Sequence, residues 1–126
     1  MIEALFNNTN YVAAKKMMDA TALRQEAIAG NLANLETPNY KRMDVAPTFS
    51  AELSRAVSNG TPEKIADLKP QLAVDTTAVA QGRDGNTVQL ENELMLMSQN
   101  SMAHAVETHM LTASLQRLRM AITGRS

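Results

Sequence analysis

Cysteine and tryptophan are absent from this 126-residue chain. Without thiols there is no disulfide, no thiolate nucleophile and no cysteine metal site. Large rings are limited to Phe6, Tyr11, Tyr40 and Phe49. Aromatic side chains supply much of the buried area of a compact core, so a lone monomer is expected to have a thin one. Small domains of that kind often gain stability from partners. An excess of one charge is also missing: 12 Lys and Arg stand against 13 Asp and Glu, a formal net charge of -1. That balance cannot neutralise a phosphate backbone, which argues against nucleic acid as a ligand. No run of about 18 apolar residues exists to cross a bilayer. The opening MIEALFNNTNYVAAKKMMDA has no basic segment followed by a long apolar one, so a cleaved Sec signal is not expected. If the chain leaves the cytoplasm, it needs a route without signal cleavage.

What is present is a large share of alanine and methionine within a hydrophobic fraction of 44%. Proline is confined to the middle, at Pro38, Pro47, Pro62 and Pro70. The chain therefore reads as one domain, 1–126, in three parts: an N-terminal helix within 1–35, an irregular middle with a turn motif over 36–86, and a C-terminal helix within 87–126.

The first helix is expected over Thr9 to Leu35. Asn8, Thr9 and Asn10 are candidate caps, since their side chains accept from open first-turn amides. Tyr11, Ala14, Met18, Thr21, Gln25, Ile28, Leu32 and Leu35 alternate steps of three and four, the spacing of one helical face. Gly30 costs about 1 kcal/mol relative to Ala inside a helix. It marks either a close backbone approach or a weak point.

The last helix is expected over Val88 to Ile122. Leu90, Leu94, Met97, Ser101, His104, Thr108, Leu111, Leu115, Leu118 and Ile122 hold the same register. Asn86 or Thr87 can cap it. Glu91 and Glu93 near its start, with Arg117, Arg119 and Arg125 near its end, complement the helix dipole. Gly124 is a C-terminal stop. At about 1.5 Å per residue this helix is on the order of 50 Å long, more than a chain of this size can cover. Sustained heptad-like spacing argues for a helical partner.

Between the helices, Thr48 to Val57 reads as a short helix and Gln71 to Thr76 as a strand. Ser58-Asn-Gly-Thr-Pro62 and Gly82-Arg-Asp-Gly-Asn86 are turn clusters. Residues 58–85 carry few large apolar groups and are expected to be mobile in isolation. The fold class is mainly α: long terminal helices paired as an antiparallel, coiled-coil-like hairpin, with short helix and strand pieces in the middle. In that pairing the polar interruptions fall together, Thr21 and Gln25 beside Ser101, His104 and Thr108, and would fix register at some cost in stability.

No arrangement for chemistry emerges. His104 and His109 point about 140° apart on a helix and cannot share a metal as an i, i+4 pair can. Glu91 and Glu93 diverge, so they make no carboxylate pair for acid–base work. Gly82-Arg-Asp-Gly85 lacks the strand, Lys and helix of a phosphate site. No catalytic residue, metal, cofactor or small-molecule substrate is expected. The doublets Lys15-Lys16 and Lys41-Arg42 read as solvated surface. Met17, Met18, Met95, Met97, Met102, Met110 and Met120 read as core or as adaptable packing between subunits, since Met fills uneven gaps.

Residues 26–42, EAIAGNLANLETPNYKR, describe a helix running into a turn. Pro38 pushes Thr37 out of the helical region. Pro38-Asn39 suits the centre of a type II turn, whose second position needs positive φ. Asn is the best residue there after Gly. This segment resembles the signature of the flagellar basal-body rod and hook family, small-Asn-hydrophobic-x-Thr-x-Gly-Tyr-Lys/Arg, at Ala33, Asn34, Leu35, Thr37, Tyr40 and Lys41. Pro38 fits as well, and Asn39 stands where the family usually has Gly. Gly85-Asn-Thr-Val-Gln-Leu-Glu-Asn-Glu-Leu94, the long Met/Ala/Leu helix and the ending Leu118-Arg-Met-Ala-Ile122 are similar to the proximal rod members, which lack large inserted domains.

The resemblance implies a structural, non-enzymatic rod subunit. It implies export by the flagellar type III apparatus without signal cleavage, and a place in the periplasmic rod of the basal body. The implied partners are copies of itself, other rod proteins and the adaptor between membrane ring and rod; the implied work is torque transmission through packed helices. The expected assembly surface is Met18, Ile28, Leu32, Leu35, Leu94, Met97, Leu111, Leu115, Leu118 and Ile122, with Asn34, Thr37, Pro38 and Tyr40 setting the helix exit. Phe49-Ser-Ala-Glu-Leu53 resembles the Phe-x-x-x-hydrophobic export signal of early subunits, although a short amphipathic helix gives the same letters. On the export reading, Phe49→Ala blocks secretion and leaves the purified fold intact. A helical adaptor or export chaperone, forming a fixed small complex in the cytoplasm, is the alternative reading.

Overall fold

Asn8 opens the first helix by accepting from the Asn10 amide at 2.9 Å, which satisfies one of the unpaired donors of a first turn. The computed structural model describes residues 8–124; Phe6 and Arg125 lie outside them. Helix α1 runs Thr9–Ala33 and stops two residues before the expected Leu35. Asn34 turns the chain there: its side chain donates back to the Gly30 carbonyl at 2.8 Å.

Strand β1, Met43–Val45, pairs antiparallel with β2, Leu72–Val74, with Met43 opposite Val74, forming a β-hairpin with a long connection. Two short helices lie between the strands, α2 at Thr48–Asn59 and α3 at Pro62–Asp67. Strand β2 falls within the strand expected over Gln71 to Thr76, and α3 adds a helix to the stretch 58–85, which was expected from composition to be mobile in isolation. Ile65, which is 0% exposed, provides the anchor. Ala13, Phe49, Leu53, Ala56 and Ile65 form the hydrophobic cluster that joins α1, α2 and α3. Its single aromatic ring fits the thin core expected of this composition.

Helix α4, Leu90–Thr123, begins two residues later than expected. Gln89 stands at its N-terminus without a side-chain cap bond, so neither Asn86 nor Thr87 is the cap. Gly124 ends the helix at φ 64, its amide bonding the Met120 carbonyl at 2.8 Å, the left-handed stop that Gly adopts without a Cβ penalty. The two long helices pack antiparallel. Asn31 meets Glu93, Gln25 meets Asn100, and Thr21 meets Glu107.

The packing seam is not the apolar stripe of α4. Its buried positions are Glu93, Asn100 and Glu107, each one residue before a stripe position (Leu94, Ser101, Thr108), which is about 100° around the helix. Each buried polar group is satisfied from α1, as buried polar groups must be. Asn31 donates to Glu93 at 3.2 Å, Asn100 donates to the Thr21 carbonyl at 2.9 Å, and Thr21 donates to Glu107 at 2.8 Å. Thr21 and Gln25 do meet polar partners, but not Ser101, His104 or Thr108. Those three are exposed; the Ser101 and Thr108 hydroxyls bond carbonyls of their own helix.

Candidate assembly site

Three features could serve assembly: the junction where α1 hands the chain to the hairpin, the outer face of α4, and a groove over α1.

The junction begins with the turn the sequence predicts. The Tyr40 amide bonds the Thr37 carbonyl at 3.3 Å, closing a four-residue turn around Pro38 and Asn39. Asn39 has φ 59, which Asn tolerates better than other residues with a Cβ. Thr37 donates to the Asn34 side chain at 3.1 Å. Asn86 then reaches across from the approach to α4. Its amide group donates to the carbonyls of Asn34, Leu35 and Thr37 at 2.9, 3.0 and 2.8 Å. The carbonyls of the turn that follows α1 are thereby held by a residue far along the chain. Thr87 accepts from the Arg42 amide at 2.8 Å. The Asn86 and Thr87 side chains, read from the sequence as helix caps, instead bind the approach to α4 to the segment that leaves α1.

Beneath the turn lies an ion cluster that the sequence reading missed. Arg42 is buried, not the solvated half of a basic doublet. Its guanidinium donates to Glu93 at 2.7 Å, to Asp44 at 3.3 Å and to Asp75. Arg24 bonds the same Asp44 at 2.8 Å. Burial alone lowers the Arg42 pKa, but the hydrogen bonds to Glu93 and Asp75 outweigh it and hold the guanidinium above the ordinary arginine range. Asp44 is also penalised by burial, yet Arg24 and the Val45 amide hold it below the ordinary carboxylate range. Asp75 is held low by the Thr77 hydroxyl first, then by Arg42 against a burial penalty. Asn31, 0% exposed, completes the junction. Its side chain bonds both the amide and the carbonyl of Met43 at 2.9 Å, as a neighbouring strand would.

The predicted assembly residues divide by burial. Ile28 is 0% exposed and belongs to the interior of this chain. Met18, Leu32, Leu35, Met97, Leu111 and Leu118 are half-buried; Leu94, Leu115 and Ile122 are exposed. Asn34 and Tyr40 are half-buried in the junction, while Thr37 and Pro38 are exposed at its tip. Phe49 and Leu53 are buried in the core cluster. Phe49→Ala should therefore destabilise the purified fold, because it empties the one ring from a small core.

The outer face of α4, opposite the seam, bears Met95, Met102, Val106 and Met120, all exposed. A groove of about 1560 Å³ lies over α1. Small residues of α1, including Ala13, Ala14 and Ala20, form its floor; α2 and the hairpin form one wall and α4 the other. Among the described residues, no group of three or more His, Cys, Asp or Glu side chains is arranged to hold a metal. No described helix is long and apolar enough to cross a membrane.

Residues 16–41, which span most of α1 and the whole turn, match the family model "Flagella basal body rod protein". The chain is also 32% identical over 114 residues to a flagellar basal body rod protein FlgB from Borrelia hermsii, covering 76% of this chain and 82% of that one. A FlgB from Aquifex aeolicus is 32% identical over 97% of this chain and 98% of its own length. The FlgB of Escherichia coli K12 is 26% identical, covering 81% and 84%. The chain belongs to the flagellar basal-body rod protein family. Within this family member, the matched segment coincides with the junction: it contains Asn31, Asn34, Thr37 and Tyr40 and stops one residue before Arg42.

Proposed function

We propose that this chain is a structural, non-enzymatic subunit of the proximal flagellar rod. On this reading it is exported by the type III apparatus, joins other basal-body components in the periplasmic rod, and transmits torque through packed helices. The observation that carries the reading is the uncovered apolar surface of α4 on a chain of the rod family. Leu90, Leu94, Met95, Met102 and Val106 are all exposed on one helix. Contiguous exposed apolar surface of this kind marks a protein interface. The junction serves the same end: by tying α1, the hairpin and α4 with buried polar bonds, it makes the two long helices one stiff element. Phe49 and Leu53 lie in the core, so an export signal at these residues would be readable only in the unfolded chain.

The decisive experiment deletes the gene and restores it with a tagged copy. Cells without the chain should lack rods and motility, and the tagged copy should be found in isolated basal bodies. A fixed cytoplasmic complex, with normal rods in the deletion strain, would favour the adaptor or chaperone reading instead.

A further inference from the structure

Two glutamates of α4 are buried in the seam, and only one of them is neutralised. Glu93 accepts from the Arg42 guanidinium and from Asn31. Glu107, further along the same seam, is 5% exposed. Its bond is to one neutral group: Thr21 Oγ1 stands 2.8 Å from its Oε2 and 3.0 Å from the Met18 carbonyl, so a single hydroxyl hydrogen serves two acceptors. Among the described residues, Glu107 forms no ion pair. A buried charge is ordinarily paired. Glu107 Oε1 has no hydrogen-bond partner, yet it is not sealed in; among the described residues the sealed, unpartnered side-chain atoms are Arg42 Nη2 and Thr61 Oγ1. It therefore opens onto the groove that Glu107 lines.

The groove does not supply the missing cation itself. Arg24 gives Nε and Nη2 to Asp44, and Arg42 is committed to Glu93, Asp44 and Asp75. Arg117 lines the far end of the groove, about 15 Å along α4 at the helical rise and beyond the Debye length of about 8 Å at physiological salt. His109 also lines it, but from the other side of α4, about 160° round from Glu107. One carboxylate offers fewer oxygens than a bound Ca²⁺ takes from protein, so the cation that fits is organic.

The surroundings suit the stem of a long basic side chain. Ala103 and Met110 lie a turn before and after Glu107 on α4, and Met17 and Ala20 lie near Thr21 on α1. Lys and Arg lay their methylenes along such apolar surface and carry the charge at the tip. The groove floor from Asn10 to Arg24 is about 21 Å long, room for about four helical turns. The long helices of a second copy are poor donors. Helix α4 has no Lys or Arg between Glu93 and Arg117; on α1, Lys15 lies over the Tyr11 ring, Lys16 pairs with Asp19 and Arg24 with Asp44.

We infer that the groove receives a helix of a different polypeptide, which lays small and apolar residues along α1 and delivers one Lys or Arg to the Glu107 carboxylate. The pairing takes its setting from the rod-subunit reading; the unneutralised carboxylate stands without it. Glu107 then selects the partner by charge, because a neutral or acidic residue at that place leaves the carboxylate buried and unpaired.

The probes are n-butylguanidinium and n-butylammonium, the heads and stems of Arg and Lys, with n-butanol as the uncharged control. The isotope-labelled full chain is titrated with each at constant ionic strength while its amide NMR shifts are followed. At least one cation should move the Thr21, Ala103 and Glu107 amides along a saturating curve, and the tighter of the two names the basic residue. Butanol should bind at least tenfold more weakly. Glu107→Gln should weaken cation binding at least tenfold without lowering the thermal midpoint, since Gln keeps an oxygen for Thr21 and leaves no unpaired charge. Glu91→Gln, exposed in the first turn of α4, should change neither. Equal binding of butanol, undiminished binding by Glu107→Gln, or a lower midpoint in that variant would each overturn the assignment; the last would make Glu107 a strut between α1 and α4. In cells, Glu107→Gln should enter isolated basal bodies at least tenfold less than Glu91→Gln, and equal entry would also overturn it. If the unaltered chain is itself missing from basal bodies, the rod reading fails, while the titration still decides the pairing.

Discussion

Arg42 and Glu93, far apart in the sequence, are joined by a 2.7 Å hydrogen bond from the guanidinium to a carboxylate that is 0% exposed. This bond ties the exit of α1 to the first turns of α4. Removing one partner of a buried ion pair strands the other, at about 3–5 kcal/mol. Arg42→Met should therefore cost about that much in denaturant unfolding. Replacing both partners, Arg42→Met with Glu93→Leu, should recover part of the loss, because two apolar groups leave no orphaned charge. Additive costs in the double variant would show that the pair is not coupled.

Asn86 holds three carbonyls of the turn that follows α1 with one side chain. The two N–H groups of Asn86 make these three contacts, one of them shared, so Asn86→Ala should cost about 2 kcal/mol, at roughly 1 kcal/mol per N–H. Hydrogen exchange at the Tyr40 and Thr87 amides should rise more than exchange within the middle of α1. Uniform acceleration along the chain would mean that Asn86 supports global stability and not the junction.

Asn39 and Gly85 face each other across the turn. A Cβ added at Gly85 would run into the Asn39 side-chain oxygen, and Gly85 also has φ 74. Gly85→Ala should cost more in the native background than beside Asn39→Gly, where only the left-handed strain of about 1–2 kcal/mol remains. Asn39→Gly alone should be close to neutral in thermal unfolding. Equal costs for Gly85→Ala in both backgrounds would remove the steric part of this account.

Acid should loosen the hairpin. Asp44 and Asp75 have folded pKa values below their ordinary carboxylate value. Their stabilisation is thus fully present above about pH 4 and lost as pH falls through the lower folded values. Urea midpoints should hold between pH 7 and pH 5, then drop below about pH 4. Asp75→Asn should flatten that drop. A flat profile in the native chain down to pH 3 would contradict the cluster's role.

The long helices were legible because capping, three-four spacing and a terminal Gly are local signals. The turn at Thr37-Pro38-Asn39 was legible for the same reason, since Pro restricts its predecessor and Asn accepts positive φ. The packing seam was not. Periodicity analysis looks for apolar residues, and this seam is Glu93, Asn100 and Glu107, polar groups whose burial depends on partners from α1. Arg42 was hidden likewise, as half of a basic doublet; only the tertiary arrangement of Asp44, Asp75 and Glu93 makes it an interior residue. The apolar stripe of α4 does not mark the seam: Leu94, Leu115 and Ile122 are exposed, while Met97, Leu111 and Leu118 are half-buried.

Leu94→Glu with Ile122→Glu tests the central claim most directly, because both residues are exposed in the single chain and neither lines the groove. Surface changes of this kind alter monomer stability by about 0.5 kcal/mol or less. The measurement is the amount of this variant in isolated basal bodies, beside its thermal midpoint as a purified protein. The account predicts an unchanged midpoint and a basal-body signal reduced at least tenfold, with motility lost. A folded variant that enters basal bodies at the native level would contradict it.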